Sequence, residues 1–171
     1  PLPELRTGHE KIVSYPTQCP SCGTTLVREE DEAAWRCPNM ECKAQILQRL
    51  IFHVSKDAMD IDGFGEKYIL RFYELGWIKN MADLYQLDYD KIAALEGFGK
   101  KSADKLKAAI DKAKSNPIHR LLHSLSIHHV GQRASKLITE KINHLLDLAG
   151  WSTEDYIAIK DIGPVVAQNA I

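Results

Sequence analysis

The chain has 171 residues, a formal net charge of −1 and 44% hydrophobic residues, which is typical of a soluble globular protein with one ordinary domain or a small module beside a helical one. It contains no run of about 18 apolar residues and no basic-then-apolar leader, which argues against a membrane span and a secretory signal. We therefore expect a cytoplasmic protein that does not associate with a membrane.

The N-terminal residues 1–18 show no sustained hydrophobic period and are interrupted by prolines and a glycine. We predict an extended linker here, with a short strand at Lys11 to Ser14. The sequence begins Pro1-Leu2-Pro3 without a Met and ends at Ile171 inside a helical pattern. We expect it to belong to a longer polypeptide.

All four cysteines lie in the segment that follows. Cys19, Cys22, Cys37 and Cys42 form the pattern Cys-x2-Cys-x14-Cys-x4-Cys, which is typical of a four-thiolate zinc site. Two disulfides are the alternative, although a cytoplasmic location disfavours them. Four cysteine ligands leave no coordination position for water, so we predict a structural zinc ion in a small β-hairpin module over residues 19–43.

A glycine-containing pattern then recurs at nearly constant intervals. Apolar-x-Gly-apolar-Gly occurs near residues 61–65 and 95–99, and variants of it occur near 127–131 and 159–163. The last glycines of these segments are Gly65, Gly99, Gly131 and Gly163, at spacings of 34, 32 and 32 residues. Such a period indicates a repeat architecture. We predict a mainly α fold with four helix-hairpin-helix repeats packed as one domain over residues 44–171.

Apolar periodicity and capping signals place the helices of these repeats. Gly76 is expected to follow the end of the helix after the first hairpin, Asp88 to cap a helix over residues 89–95 after a short helix near 81–87, and Pro117 to occupy the first helical position of the next helix. Ser152 and Asp155 fit a capping box. The residues predicted to face the core are Ala44, Leu47, Leu50, Ile51, Val54, Ile69, Phe72, Leu75, Ala103, Leu106, Ile110, Ala113, Leu121, Leu122, Leu125, Ala134, Leu137, Ile138, Ile142, Leu145, Leu146 and Leu148, together with the residue between the glycines of each hairpin (Phe64, Phe98, Val130 and Ile162).

The start of each second helix is suited to an anion, because its backbone N–H groups are unpaired and the positive end of the helix dipole is exposed. Lys100 and Lys101 lie in such a first turn, where a cation is unfavourable unless a negative group compensates. The stretch from Gly97 to Lys141 contains ten Lys and Arg against three acidic residues. The anion that recurs at this spacing is nucleic-acid phosphate, although a purely structural helical repeat remains the alternative.

The predicted DNA-binding residues are Gly63, Gly65, Lys67, Gly97, Gly99, Lys100, Lys101, Gly131, Arg133 and Lys136. We expect the second and third hairpins to contribute most, because Glu66 offsets Lys67 in the first. Asp161 places a carboxylate where a phosphate would approach, so the fourth hairpin is expected to be structural. Replacing Gly99 with a β-branched residue is expected both to strain the turn and to cover the amides.

The order of a four-cysteine module followed by hairpin repeats resembles the C-terminal half of bacterial NAD-dependent DNA ligases. Leu2 to Gly8 is similar to the segment that leaves the oligonucleotide-binding (OB) barrel of that family. The segments that carry the resemblance are Cys19-Pro-x-Cys22-Gly, Cys37-Pro-Asn-x-x-Cys42-x-Ala-Gln45, Ala58-Met-Asp-Ile-x-Gly-Phe-Gly-Glu-Lys67, Ala82-Asp-Leu-Tyr85, Gly97-Phe-Gly-x-Lys-Ser-Ala103 and His128-His-Val-Gly131.

The resemblance implies a protein that seals nicks in duplex DNA with NAD and Mg²⁺, and whose adenylation and OB domains lie upstream. The adenylated lysine of that family lies in a Lys-x-Asp-Gly motif, which this sequence lacks. We therefore predict no catalytic residue in this chain and no activity of the chain alone. The alternative is a hairpin-repeat DNA-binding module of another repair or recombination protein, which the adjoining cysteine module disfavours.

Overall fold

The computed structural model describes residues 7–8, 14–29 and 32–171. The chain divides into two compact units, Pro1–Gln45 and Ile46–Ile171. The predicted strand at Lys11 to Ser14 lies outside the described residues except for Ser14, which has no regular structure. The boundaries predicted for the linker, the zinc module and the hairpin domain stay predictions.

The first unit contains little regular secondary structure. The predicted β-hairpin is reduced, in its described part, to two isolated antiparallel bridges, Gln18 with Thr25 and Val27 with Arg36. Val27 and Trp35 remain 48% and 41% exposed, and among the described residues of this unit the buried apolar side chains are those of Cys19 and Cys42. A unit with so small an apolar core needs a further source of stability.

The remainder of the chain is helical, as predicted. In the described part the α-helices are α1 (Lys43–Val54), α2 (Glu66–Glu74), α3 (Tyr89–Ala93), α4 (Lys100–Ala113), α5 (Ile118–Ser124), α6 (Gln132–Thr139), α7 (Thr153–Ile157) and α8 (Pro164–Ala170), and the 3-10 helices are Ala82–Gln86 and Leu145–Gly150. α3 packs against α4, α5 against α6, and α7 against α8. No helix in the described part of the chain is long and apolar enough to cross a membrane.

Two apolar clusters form the core of the helical unit. The first is built around Leu50, Phe72 and Ile110, and the second around Ile138 and Tyr156. Most predicted core positions are buried or partly buried, and Phe64, Val130 and Ile162 between the hairpin glycines are buried, while Phe98 is half-buried. Phe98 packs against the first cluster from the side of α2.

Three predicted core residues are exposed instead: Ala44, Leu75 and Leu146. Leu75 is the C-cap of α2 and is followed by Gly76 at φ +72°, so the chain turns away before Leu75 can reach the core. Leu146 lies in a 3-10 helix whose neighbours Leu145 and Leu148 contact the core, which leaves Leu146 on the outer face.

Two of the three capping signals at helix starts are confirmed. Asp88 accepts hydrogen bonds from the backbone N–H groups of Asp90 and Lys91 at 3.1 Å each, and α3 follows it but ends at Ala93. The Asp155 carboxylate accepts from the backbone N–H of Ser152 at 2.7 Å, which closes the predicted capping box. Pro117 is the N-cap of α5 and not its first helical residue.

One ionisable side chain is buried in the helical unit and links stability to pH. His53 of α1 is 1% exposed, and its Nε2 lies 2.9 Å from the hydroxyl of Tyr85. Burial lowers the pKa of His53 to about 4, from about 6.5 for an unperturbed histidine. Between about pH 4 and pH 6.5, His53 is therefore neutral in the folded chain and protonated in the unfolded chain.

We expect the free energy of unfolding to fall as the pH drops from about 6.5 to about 4, by about 3 kcal/mol from this group. The measurement is urea unfolding at pH 7 and pH 5, followed by helical circular dichroism, for the wild type and His53→Gln. The variant removes the titrating group, so its stability should depend less on pH over this interval. Equal pH dependence in the two proteins would contradict the assignment.

Candidate functional site

The four cysteine sulfurs converge in the first unit. The Sγ atoms of Cys19 and Cys42 are 3.9 Å apart, those of Cys22 and Cys37 are 3.5 Å apart, and all four lie within 4.8 Å of one another. A tetrahedron with Zn–S bonds of about 2.3 Å has S···S edges of about 3.8 Å, so this spacing fits one Zn²⁺. The distances are too long for disulfides, whose S–S bond is about 2.05 Å, and all four cysteines are free.

Hydrogen-bond donors around the sulfurs favour thiolates. Hydrogen bonds from the Thr24 hydroxyl and backbone lower the pKa of Cys22 to about 6, and the backbone N–H of Gln45 lowers the pKa of Cys42. Desolvation, together with the neighbouring sulfurs of Cys22 and Cys19, raises the pKa of Cys37 to about 12. A divalent cation at the centre of the four would favour the thiolate form of each.

Each hairpin reverses the chain through one residue with positive φ. The angle is +81° at Gly63 and +82° at Gly97, and it is +61° at His129 and +71° at Asp161. The third and fourth hairpins therefore keep the turn of the first two without its glycine, because Asp and His adopt positive φ more readily than most residues with a Cβ. This position sets the turn.

The second glycine of each hairpin has a different role, because it is the N-cap of the following helix. Gly65, Gly99, Gly131 and Gly163 have φ angles of −79°, −170°, −75° and −91°, which any residue can adopt. A Cβ at any of the four would meet no described atom within 4 Å. The expectation that substitution of Gly99 strains the turn is therefore wrong. Neither backbone nor packing calls for glycine here, and its effect is to leave the first N–H groups of the helix uncovered.

Hairpin 2 (residues 95–99) combines this uncovered helix start with positive charge. α4 begins Lys100-Lys101-Ser102-Ala103, and both lysines are exposed. Lys100 and Lys101 line an open depression together with Lys105, one turn further along α4, and with one acidic residue, Asp104. Sequence reasoning did not select Lys105, although its position four residues after Lys101 places both on one helix face.

The cations that follow hairpin 1 (residues 61–65) and hairpin 3 (residues 127–131) each include one with an acidic group beside it. α2 begins with Glu66 and Lys67, whose charges oppose each other. Arg133 and Lys136 of α6 are exposed after hairpin 3. The Nη2 of Arg133 donates to the Asp161 carboxylate at 2.8 Å, so this predicted DNA-binding residue already has an anionic partner.

Hairpin 4 (residues 159–163) is the least suited to an anion. The helix that follows it, α8, begins at Pro164, which has no backbone N–H to donate. Asp161 adds a carboxylate to the same turn. Both features agree with the prediction that this hairpin is structural.

Arg71 of α2 was not singled out from the sequence, but it holds hairpin 2 in place. Its Nη1 donates to the backbone oxygen of Glu96 at 2.9 Å, and its guanidinium carbon lies 5.6 Å from the centroid of the Phe98 ring. The Phe98 ring in turn lies 4.8 Å from that of Tyr68, also on α2. No motif in the sequence reveals these contacts, because they depend on how α2 and hairpin 2 pack.

Known protein families match both the cysteine segment and the helical segment of the chain. Residues 18–44 match the NAD-dependent DNA ligase C4 zinc finger domain, residues 55–112 match a SAM-like helix-hairpin-helix tandem, and residues 120–171 match a helix-hairpin-helix motif. Over 97% of its length the chain is 49% identical to a DNA ligase of Persephonella marina, of which it covers 23%. Together these matches support a C-terminal fragment of a bacterial NAD-dependent DNA ligase.

Two further DNA ligases agree with this identification. The chain is 45% identical to a DNA ligase of Natranaerobius thermophilus over 98% of its length, and 44% identical to one of Anoxybacillus flavithermus over 99%, and it covers 25% of each. The chain therefore spans about a quarter of the length of the curated relatives it matches. The ligase zinc finger model includes all four cysteines, and the two helical models include all four hairpins without fixing the number of repeats.

Proposed function

We propose that this chain is the part of an NAD-dependent DNA ligase that binds the phosphate backbone of duplex DNA without contacting base edges. The observation that carries the proposal is the run of second hairpin glycines, which neither backbone angle nor packing requires and which leave helix N-termini open. Phosphate oxygens are suited to such N–H groups because the helix dipole adds to the hydrogen bonds.

Hairpin 2 is proposed as the main contact. The first N–H groups of α4 would donate to phosphate oxygens, and Lys100 and Lys101 would supply the charge that replaces the counterions of DNA. Hairpin 3 would contribute the N–H groups at the start of α6, with Arg133 and Lys136 nearby. The proposed contacts are Gly63, Gly65, Lys67, Gly97, Gly99, Lys100, Lys101, Gly131, Arg133 and Lys136. Lys105, on the same face of α4 as Lys101, is a further proposed contact.

In the first unit, Cys19, Cys22, Cys37 and Cys42 are proposed to hold one structural Zn²⁺. The closeness of their four sulfurs, all within 4.8 Å of one another, supports this role. With four thiolates as ligands the ion has no open position, so it would stabilise the fold and take no part in bond breaking.

The whole protein is proposed to seal nicks in duplex DNA with NAD and Mg²⁺, which would act in adenylation and OB domains outside this chain. The sequence contains no Lys-x-Asp-Gly, so the chain alone should not form an adenylated lysine. The cytoplasmic location stays a prediction. A hairpin module of an unrelated repair protein would not account for the zinc finger match.

The salt dependence of DNA binding tests the phosphate contacts. We expect the chain to bind two duplexes of unrelated sequence with equal affinity, and the affinity to fall steeply as salt rises. Lys100→Gln with Lys101→Gln should weaken binding and reduce the slope of log K against log salt by about 2, since each lost phosphate contact lowers it by about 1. Fluorescence anisotropy across a salt series measures both quantities.

The matched control is Lys112→Gln with Lys114→Gln at the opposite end of α4. It changes the net charge equally on the same helix, and one of its lysines already pairs with Asp111 at 2.7 Å. If the control pair reduces the slope and the Lys100 and Lys101 pair does not, DNA binds at the C-terminal end of α4, which would contradict the proposal.

A further inference from the structure

Hairpins 3 and 4 are joined by an ion pair that the DNA-binding role does not require. Arg133 is the second residue of α6, directly after the open helix start at Gly131. Its Nη2 lies 2.8 Å from Oδ2 of Asp161, which occupies the positive-φ position of hairpin 4. The two residues are 28 positions apart in the sequence, so the pair is formed by the packing of the two hairpins.

The backbone does not call for a carboxylate at this position. Glycine occupies the equivalent position in hairpins 1 and 2, at Gly63 and Gly97, and it adopts a φ near +80° with less strain than any residue with a Cβ. Asp161 therefore accepts a strained conformation while placing its charge on Arg133. The pair is open to solvent, because the side chain of Arg133 is 80% exposed and that of Asp161 is 47% exposed.

We propose that Asp161 competes with DNA phosphate for Arg133 and thereby limits the DNA affinity of hairpin 3, an inference that rests on the proposed function. A carboxylate oxygen 2.8 Å from a guanidinium nitrogen occupies the place that a phosphate oxygen would take. Binding of a phosphate by Arg133 must therefore break the ion pair. Because exposed ion pairs are weak, this exchange is possible at low cost and reversible.

The test uses two substitutions that keep the turn. Asp161→Asn retains a side chain that tolerates positive φ, and Asp161→Gly restores the residue type found in hairpins 1 and 2. Each should tighten binding of a short duplex about two- to fivefold at low salt and steepen the salt slope by about 1, since Arg133 becomes available for a phosphate. Helical circular dichroism verifies that both variants are folded.

Two further variants identify the cause. In an Arg133→Gln background the same substitutions at Asp161 should tighten binding no more than a change of one unit in net charge does, because the competition has been removed. Glu154→Gln, at an exposed position at the start of α7, alters the net charge by the same amount without touching the pair, and it should change the affinity less than Asp161→Asn does.

The possible results separate this proposal from the function on which it rests. Absence of salt-dependent binding by the wild type would overturn both. Normal wild-type binding with unchanged or weaker binding by both Asp161 variants would overturn the competition and leave the proposed function standing. Tightening that is undiminished in the Arg133→Gln background, or that Glu154→Gln reproduces in full, would also overturn it, because the effect would then be one of net charge.

Discussion

Removal of zinc is expected to unfold the cysteine module and to leave most of the helical circular dichroism signal intact. In the described part of the first unit the buried apolar side chains are two of the cysteines themselves, and its backbone pairing consists of two isolated bridges. Zinc binding to such a module contributes about 10–16 kcal/mol, which its own apolar contacts cannot replace. The helical unit has its own apolar clusters and should remain folded.

Metal analysis should find one zinc ion per chain, and chelation should make residues of the cysteine module sensitive to limited proteolysis. Cys37→Ser should have the same effect without a chelator. Met40→Ala is the matched control, because Met40 lies between the second pair of cysteines, is 64% exposed and supplies no sulfur to the cluster of four. A metal-free chain that stays fully protected under reducing conditions would contradict the assignment.

The zinc site could be predicted because its information is local. The cysteine spacing fixes two short turns that each present two thiols, and the structure brings all four sulfurs within 4.8 Å. The strands between the pairs could not be predicted as well. Val27 and Trp35 are the residue types of a strand, yet in the described part of this segment Val27 forms an isolated bridge to Arg36 and Trp35 forms none. A module proposed to be held by a metal ion does not depend on strand pairing for its stability.

The hairpins were predictable as turns, but the role of each glycine was not. A repeated Gly-apolar-Gly pattern indicates where the chain reverses, and it does not reveal that positive φ falls on Gly97 while Gly99 is extended. The fit of His129 and Asp161 to the same turn follows from backbone angles that no spacing encodes.

Contacts between distant segments could not be predicted from the sequence either. Arg71 reaches the Glu96 carbonyl over 25 residues, and Arg133 reaches Asp161 over 28. Each pair combines residues that, taken singly, resemble ordinary surface charges. Leu75 and Leu146 fit the apolar periodicity of a buried helix face, yet both are exposed. An apolar residue at such a position can be exposed when the chain turns beside it.

Substitution of Gly99 by Asp is expected to separate folding from DNA binding. The extended backbone at Gly99 accepts a side chain, and a Cβ there meets no described atom within 4 Å. An aspartate at the N-cap should stabilise α4 by about 0.5 kcal/mol, because its carboxylate accepts from the first N–H groups and interacts favourably with the dipole. The same carboxylate would occupy the phosphate site and repel DNA.

The matched control is Gly163→Asp, which makes the same change at the corresponding N-cap of hairpin 4. Gly163 is also extended, with φ −91° and no described atom within 4 Å of an added Cβ, but the helix after it begins with Pro164. Since hairpin 4 is proposed not to bind phosphate, this variant should retain DNA affinity. Comparison of the two variants cancels the effect of net charge.

The decisive measurement is the DNA affinity of both variants at one salt concentration, together with their thermal unfolding midpoints. The proposed phosphate site at hairpin 2 predicts that Gly99→Asp loses on the order of tenfold or more in affinity at an unchanged or higher midpoint, while Gly163→Asp binds nearly as the wild type does. Equal affinity for Gly99→Asp and the wild type, or equal losses in the two variants, would contradict phosphate binding at the start of α4.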